Sequence, residues 1–185
     1  MFNEDLAKLL QALKFAAEKH RDQRRKGKHQ PPYINHPIEV CEQLIRVGKV
    51  TDLNILLAAI LHDTVEDTNT TPEEIEQMFG AKVREIVEEV TDDKSLPKAA
   101  RKEKQVEHAP HLSVEAKQIK FSDKISNIRE IGNDPPSDWS KQRKLDYFAW
   151  GERVINAGLR GANVDLEKLF DETVHEARRK VESEN

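Results

Sequence analysis

Leu53-Asn54-Ile55-Leu56-Leu57-Ala58-Ala59-Ile60-Leu61-His62-Asp63-Thr64-Val65-Glu66-Asp67-Thr68 is the most informative stretch of the chain. From Leu53 to Leu61 nearly every residue is apolar, which predicts a helix buried on all sides at the centre of a domain. His62 and Asp63 terminate that run. A histidine beside an aspartate at the end of a buried helix costs stability unless hydrogen bonds or a metal satisfy both. Glu66 lies four residues after His62, and Asp67 four after Asp63. A helix continuing through them would project the two pairs from one side.

The flanking sequence is helical in pattern on both sides. Leu6, Leu10, Leu13 and Ala17 share one helical face, and the same spacing carries His20 and Arg24 onto that stripe. Asn35-His36-Pro37 is a helix entry, with Cys41, Leu44 and Ile45 as the expected buried face and Gly48 closing it. Thr71-Pro72-Glu73-Glu74 has the form of a capping box for a helix ending at Gly80, and Val83, Ile86, Val87 and Val90 keep helical spacing. Ser113 caps a helix bearing Ile119, Ile125 and Ile128, with Asp123 and Asn127 four apart on a polar stripe. Two more helical stretches lie around Leu145–Phe148 and Leu166–Phe170. With no period-two segment, repeat or low-complexity tract, the expected fold is all-α, one domain over residues 1–185.

Composition narrows the function. The chain has 185 residues, 35% of them charged, and no apolar run of membrane-spanning length. An acidic start without a signal or transit peptide and a single cysteine, Cys41, exclude a disulfide framework and point to the cytoplasm. A formal charge of −4 argues against a nucleic-acid binder held by phosphate neutralisation. The segment from Lys19 to His29 nevertheless holds six Lys or Arg residues against one acid, Asp22, enough to hold a small polyphosphate. Solvation at a helix end is the ordinary fate of such a run.

Imidazole and carboxylate together suit a borderline or hard divalent cation, and His36 and Asp123 offer further ligands beside His62 and Asp63. Singly, His36 could bond local backbone, and Asp123 could pair with Lys120 or Lys124. Their joint order carries the inference. A bound divalent ion lowers the pKa of its water from about 15.7 towards neutrality and polarises a phosphoryl oxygen. Glu66 is then a plausible base for that water. His20 suits a supporting role, and His29, His108, His111 and His175 have the look of surface residues.

Histidine, histidine-aspartate and a distant aspartate is also the order that HD-domain phosphohydrolases use. Several stretches resemble the hydrolase domain of RelA/SpoT-type enzymes, most of all its small stand-alone Mesh-type members. They are Ala17-Glu18-Lys19-His20 with Arg24-Arg25-Lys26, Pro32-Tyr33-Ile34-Asn35-His36-Pro37, Leu61 to Asp67, Glu88 to Lys94, and Lys120 to Asn127. The resemblance implies an HD-type helical fold with one manganese ion held by His36, His62, Asp63 and Asp123. It implies Glu66 and Asp67 as the catalytic acidic pair. It implies nucleotide contacts from Arg25, Lys26, Asn127, Arg143 and Tyr147, although an aromatic beside Phe148 is by base rate more often core than base-stacking. The implied activity is hydrolysis of (p)ppGpp to GDP or GTP and pyrophosphate, without synthesis. Two rivals keep the same residues: removal of the 2′-phosphate of NADPH, and a nucleotide-sensing module without turnover. Retention of Glu66 and Asp67 argues against the second.

Overall fold

The structure is a computed structural model and describes residues 2–184. Among these the elements run α1 (Phe2–Lys19), α2 (Asn35–Arg46), α3 (Leu53–Leu61), α4 (Thr64–Asp67), α5 (Pro72–Phe79), α6 (Ala81–Val90), α7 (Lys98–His108), a 3-10 turn (Ala109–His111), α8 (Val114–Asn133), α9 (Lys141–Gly158) and α10 (Val164–Glu182). There is no strand among the described residues, only an isolated antiparallel bridge between Arg24 and Pro32. The fold is all-α, as the patterning requires. No helix of the described residues is long and apolar enough to cross a membrane.

α3 is the centre. Asp52 caps it by accepting the Asn54 N–H at 2.8 Å, and its residues from Ile55 to Leu61 are all buried. α1, α2, α6 and α8 surround it. Truncating a residue such as Leu57 would cost about 2–5 kcal/mol, because no neighbour is free to refill the space. α8 is the second axis, packing against α10, α2, α6 and α9. Thr71 caps α5 through the Glu74 N–H, and Ser113 caps α8 through the Ala116 N–H. Gly80, at φ +99°, lets the chain turn from α5 into α6.

Two expectations are corrected. On α1 the buried face is Ala12 and Ala16 with Leu9 and Leu13, whereas Leu6 and Leu10 are exposed. Small alanines allow α1 to approach α3 closely, so size rather than hydrophobicity selects the face. On α2, Ile45 is exposed while Val40 joins Cys41 and Leu44 in the core. α3 ends at Leu61, where the apolar run stops and His62 and Asp63 begin. The Thr64 hydroxyl donates to the Leu61 carbonyl at 2.6 Å, Asp63 adopts φ −98° and ψ −3°, and the chain restarts as the single turn α4.

Candidate active site

The break after α3 places His62 and Asp63 at the floor of a cavity of about 360 Å3, with Glu66 and Asp67 on its wall. That volume lies in the range of small-molecule sites. His36, from the start of α2, lies beneath the floor with its side chain 1% exposed, and Asp123 reaches it from α8.

The two imidazoles have defined tautomers. His62 Nδ1 is 2.8 Å from the Ala59 carbonyl, which can only accept, so Nδ1 carries a proton and Nε2 is the atom left to face a cation. His36 Nδ1 is 3.0 Å from the Ser126 hydroxyl, and its Nε2 faces Asp123 Oδ1 at 3.2 Å and Asp63 Oδ2 at 3.7 Å. His62 Nε2 lies 3.0 Å from Asp63 Oδ2, yet it is buried without hydrogen-bond geometry to any partner. His36, His62 and Asp123 each offer one ligand atom within 4.8 Å of the others. Two buried imidazole nitrogens facing carboxylates need a proton or a metal between them, and the mixed nitrogen and oxygen donor set fits a divalent metal. Asp63 lies beside this trio rather than within the same 4.8 Å set, its Oδ2 standing 3.0 Å from His62 Nε2 and 3.7 Å from His36 Nε2 and accepting the Tyr33 hydroxyl at 2.6 Å.

The electrostatics follow from burial and this crowding. Burial, aided by Arg25, pushes His36 below the usual imidazole value, leaving it neutral. Burial acts the same way on His62, but the Asp63 carboxylate overrides it and lifts that imidazole to about 9, so without a metal Nε2 also holds a proton, which a bound cation would displace. Asp63 and Asp123 are held below the usual carboxylate range: burial opposes this, and His62 for Asp63, and Lys124 for Asp123, outweigh it. The buried Lys124 ammonium sits 3.0 Å from Asp123 Oδ2 and 4.6 Å from the Trp150 ring.

The acidic pair is gripped from opposite walls. Glu66 Oε2 accepts the Asp92 N–H at 3.0 Å, while its Oε1 lies 3.8 Å from Arg101. Burial raises the Glu66 carboxyl above the ordinary range, and the Asp92 N–H only partly offsets this. Asp67 Oδ2 accepts from Gln23 Nε2 at 2.8 Å, and Gln23 in turn accepts from His20 Nδ1 at 2.7 Å. Lys94 pairs with the other Asp67 oxygen. His20, buried against Tyr33, is thus the supporting group its position suggested.

Of the expected nucleotide contacts, Arg25, Lys26, Asn127 and Tyr147 line the cavity. Arg25 is 9% exposed and clamps both oxygens of Glu130, and it donates to Asn127 Oδ1 at 2.8 Å. Asn127 passes that link to Asp123 Oδ1 at 2.5 Å. Arg143 is not among the lining side chains. It pairs with Asp138 at 3.2 Å and stacks on Trp139, which does line the cavity. The basic segment does not continue the α1 stripe through His20 and Arg24 as the spacing predicts: α1 stops at Lys19, and residues 21–31 form a loop closed by the Arg24–Pro32 bridge. Arg24, Arg25 and Lys26 reach the cavity and Lys28 does not. The loop is pinned from below, where His29 bonds Asp134 and a Cβ on Gly27 would fall 2.4 Å from Asp134 Oδ2.

Sequence reasoning missed α7. It buries no residue, and Lys98, Arg101 and Lys102 form a cavity wall. The signal was present as three cations spaced i, i+3 and i+4, which share one helix face. In all, nine Lys or Arg against six Asp or Glu line the cavity, so it is locally positive in a chain of net charge −4.

An all-helical fold carrying His36, His62-Asp63 and Asp123 around one buried point is the architecture of HD domains. The HD-domain pattern matches residues 12–149, and the chain belongs to the HD-domain family. Within that family it is similar to the guanosine-3′,5′-bis(diphosphate) 3′-pyrophosphohydrolase MESH1 of Xenopus tropicalis, 54% identical over 91% of this chain and 94% of the relative. The human MESH1 is 52% identical over 90% of this chain and 92% of its own length. A solved structure of a metazoan orthologue of SpoT, described as hydrolysing ppGpp and acting in starvation responses, superposes with a TM-score of 0.88. It is 44% identical and covers 91% of this chain and 94% of that structure.

Proposed function

We propose that this chain is a manganese-dependent guanosine-3′,5′-bis(diphosphate) 3′-pyrophosphohydrolase, converting (p)ppGpp and water to GDP or GTP and pyrophosphate. The observation that carries the reading is the division of charge in one cavity. A cation site and two acids lie on its floor and near wall, and Arg24, Arg25, Lys26, Lys98, Arg101 and Lys102 stand around them. Such a cavity favours a multiply charged nucleotide over a neutral ester. The similarity to MESH1 proteins supports the substrate.

His36, His62, Asp63 and Asp123 would hold the metal. Two carboxylates among the four, with room left for water, favour manganese over a structural-type zinc. When bound, the ion supplies Lewis acidity towards a phosphoryl oxygen and a water. Glu66, desolvated and so of raised basicity, takes the proton from the attacking water. The water oxygen bonds to the phosphorus attached at O3′, the P–O3′ bond breaks, and the proton that Glu66 accepted passes to O3′ as pyrophosphate departs. Asp67, held by Gln23 and Lys94, orients the same water from the opposite wall. Arg25 and Lys26 face the diphosphate charge, and Arg25 is placed to fork onto phosphate or stack on the purine. Asn127 and Tyr147 offer polar contacts along the nucleoside. Arg143 acts at the rim through Trp139.

Crowding supports an anionic ligand. Partial burial lowers the Lys98 ammonium, and Lys26, Arg143 and Arg101 push it further in the same direction. Lys102 is lowered by burial and by Lys98 and Lys124. Bound phosphates would relieve that repulsion. The test is product analysis with ppGpp and NADPH in parallel, each with Mn2+ and with chelator. Release of pyrophosphate from ppGpp, dependent on Mn2+ and faster than phosphate release from NADPH, is expected. The converse ranking, or tight ppGpp binding without turnover, would refute the reading.

A further inference from the structure

The lone pair that His36 must present to a metal is protected on its far side by a chain of side chains running to the surface. Ser126 Oγ lies 3.0 Å from His36 Nδ1 and donates to Glu39 Oε2 at 2.6 Å. The other Glu39 oxygen accepts from Arg129 at 2.6 Å, so both oxygens of that carboxylate act as acceptors. A serine hydroxyl has one proton, and Glu39 takes it, so Ser126 can only accept from His36. His36 therefore carries its proton on Nδ1.

The alternative tautomer is not idle. With the proton on Nε2, His36 would donate to Asp123 Oδ1, which is 3.2 Å away, and that proton would occupy the place of the metal. A buried imidazole facing a carboxylate would settle into that arrangement by itself. His62 needs no such device, since the Ala59 carbonyl fixes its Nδ1 proton through the backbone. The two imidazoles are thus locked by different means, and only one lock is made of side chains.

We propose that Ser126 and Glu39 are positioning residues that hold His36 in the Nδ1–H tautomer and thereby set the metal affinity of the site. Both lie outside the cavity lining, so they act on the metal only through His36. The inference rests on the metal role of His36 given above.

Two measurements on the full chain test it, neither involving turnover. The first is the 15N-imidazole spectrum of the metal-free protein: His36 should be Nδ1–H in the wild type and shift towards Nε2–H in Ser126→Ala. The second is Mn2+ affinity by titration calorimetry without nucleotide. Ser126→Ala should weaken it by about 10- to 100-fold, the usual range for groups that orient a ligand, and Glu39→Gln by a smaller factor because its amide oxygen still accepts. Thermal unfolding of the metal-free variants checks that the fold is intact. A wild-type His36 already in the Nε2–H form overturns the proposal, as does a Ser126→Ala affinity within about twofold of wild type. If the wild type binds no Mn2+, the metal reading fails, and the tautomer spectrum still decides the relay.

Discussion

Replacing Glu66 by glutamine separates its chemical from its structural role, because the two atoms of the carboxylate have different partners. Oε2 accepts the Asp92 N–H at 3.0 Å, and an amide oxygen can do the same. Oε1 lies 3.8 Å from Arg101, beyond hydrogen-bond distance, and burial already disfavours the Glu66 charge, so a neutral amide in its place strands little. The fold should therefore survive. A general base contributes about 10²- to 10⁴-fold to the rate, or about 2.7–5.5 kcal/mol at 1.36 kcal/mol per decade. The expected phenotype is a fall in kcat of that size with KM for ppGpp, Mn2+ content and Tm near wild type. Pyrophosphate release under saturating Mn2+, with metal content measured on the same preparations, checks it. His62→Ala is the comparison, since it should lose metal and turnover together. Equal metal loss in both variants would make Glu66 a ligand. A kcat within about threefold of wild type would remove it from the chemistry altogether.

The pH profile of kcat should have its acid limb above the ordinary carboxylate range, because burial raises Glu66 and the base works only when ionised; activity rises with pH through that value. Glu66→Gln should flatten that limb, and an unchanged limb would assign it to another group. Arg25→Ala should raise KM for ppGpp and, by stranding the half-buried Glu130, destabilise the fold by about 3 kcal/mol, whereas Lys28→Ala should leave both KM and Tm unchanged. Equal small KM shifts in the two variants would reduce the basic loop to general steering. Gly158→Ala should lower Tm without altering metal affinity, since its Cβ would fall 2.4 Å from Pro110 Cα where α9 crosses the 3-10 turn; a wild-type Tm would show that this turn yields freely.

What the sequence disclosed and what it hid divide along physical lines. α3 was legible because seven consecutive buried residues leave no other reading, and the caps Thr71 and Ser113 act by local bonds that depend on nothing distant. His36, His62 and Asp123 were legible as a set because buried ionisable groups need a common explanation, the two histidines at helix ends and the aspartate on the polar stripe in the middle of α8. The α1 face was misassigned because leucines draw attention, whereas close helix packing selected Ala12 and Ala16. α7 was invisible for the opposite reason: a helix that buries nothing has no apolar period to detect. The course of the basic loop was hidden because its anchors, Glu130 and Asp134, lie more than a hundred residues away.

The interruption between α3 and α4 explains why four ionisable residues so close in sequence take separate places. Had the helix run on, Glu66 and Asp67 would have extended α3's own axis beside His62 and Asp63, and one wall of the cavity would have carried all three of the acids this segment supplies. The turn at Asp63 instead sends the backbone sideways. Glu66 is thereby met by the Asp92 N–H and by Arg101, while Asp67 is met by Gln23 from the loop after α1 and by Lys94. The acidic pair becomes the point where the two basic walls are tied to the floor. Each carboxylate is oriented by a neutral donor and accompanied by a cation. That arrangement keeps Glu66 desolvated enough to be basic while holding the walls apart, so a polyanion can enter between cations whose mutual repulsion the acids only partly relieve. A site built only of cations would bind such a ligand without activating water, and one built only of acids would repel it. The broken helix lets one short segment supply the chemistry while distant segments supply the charge.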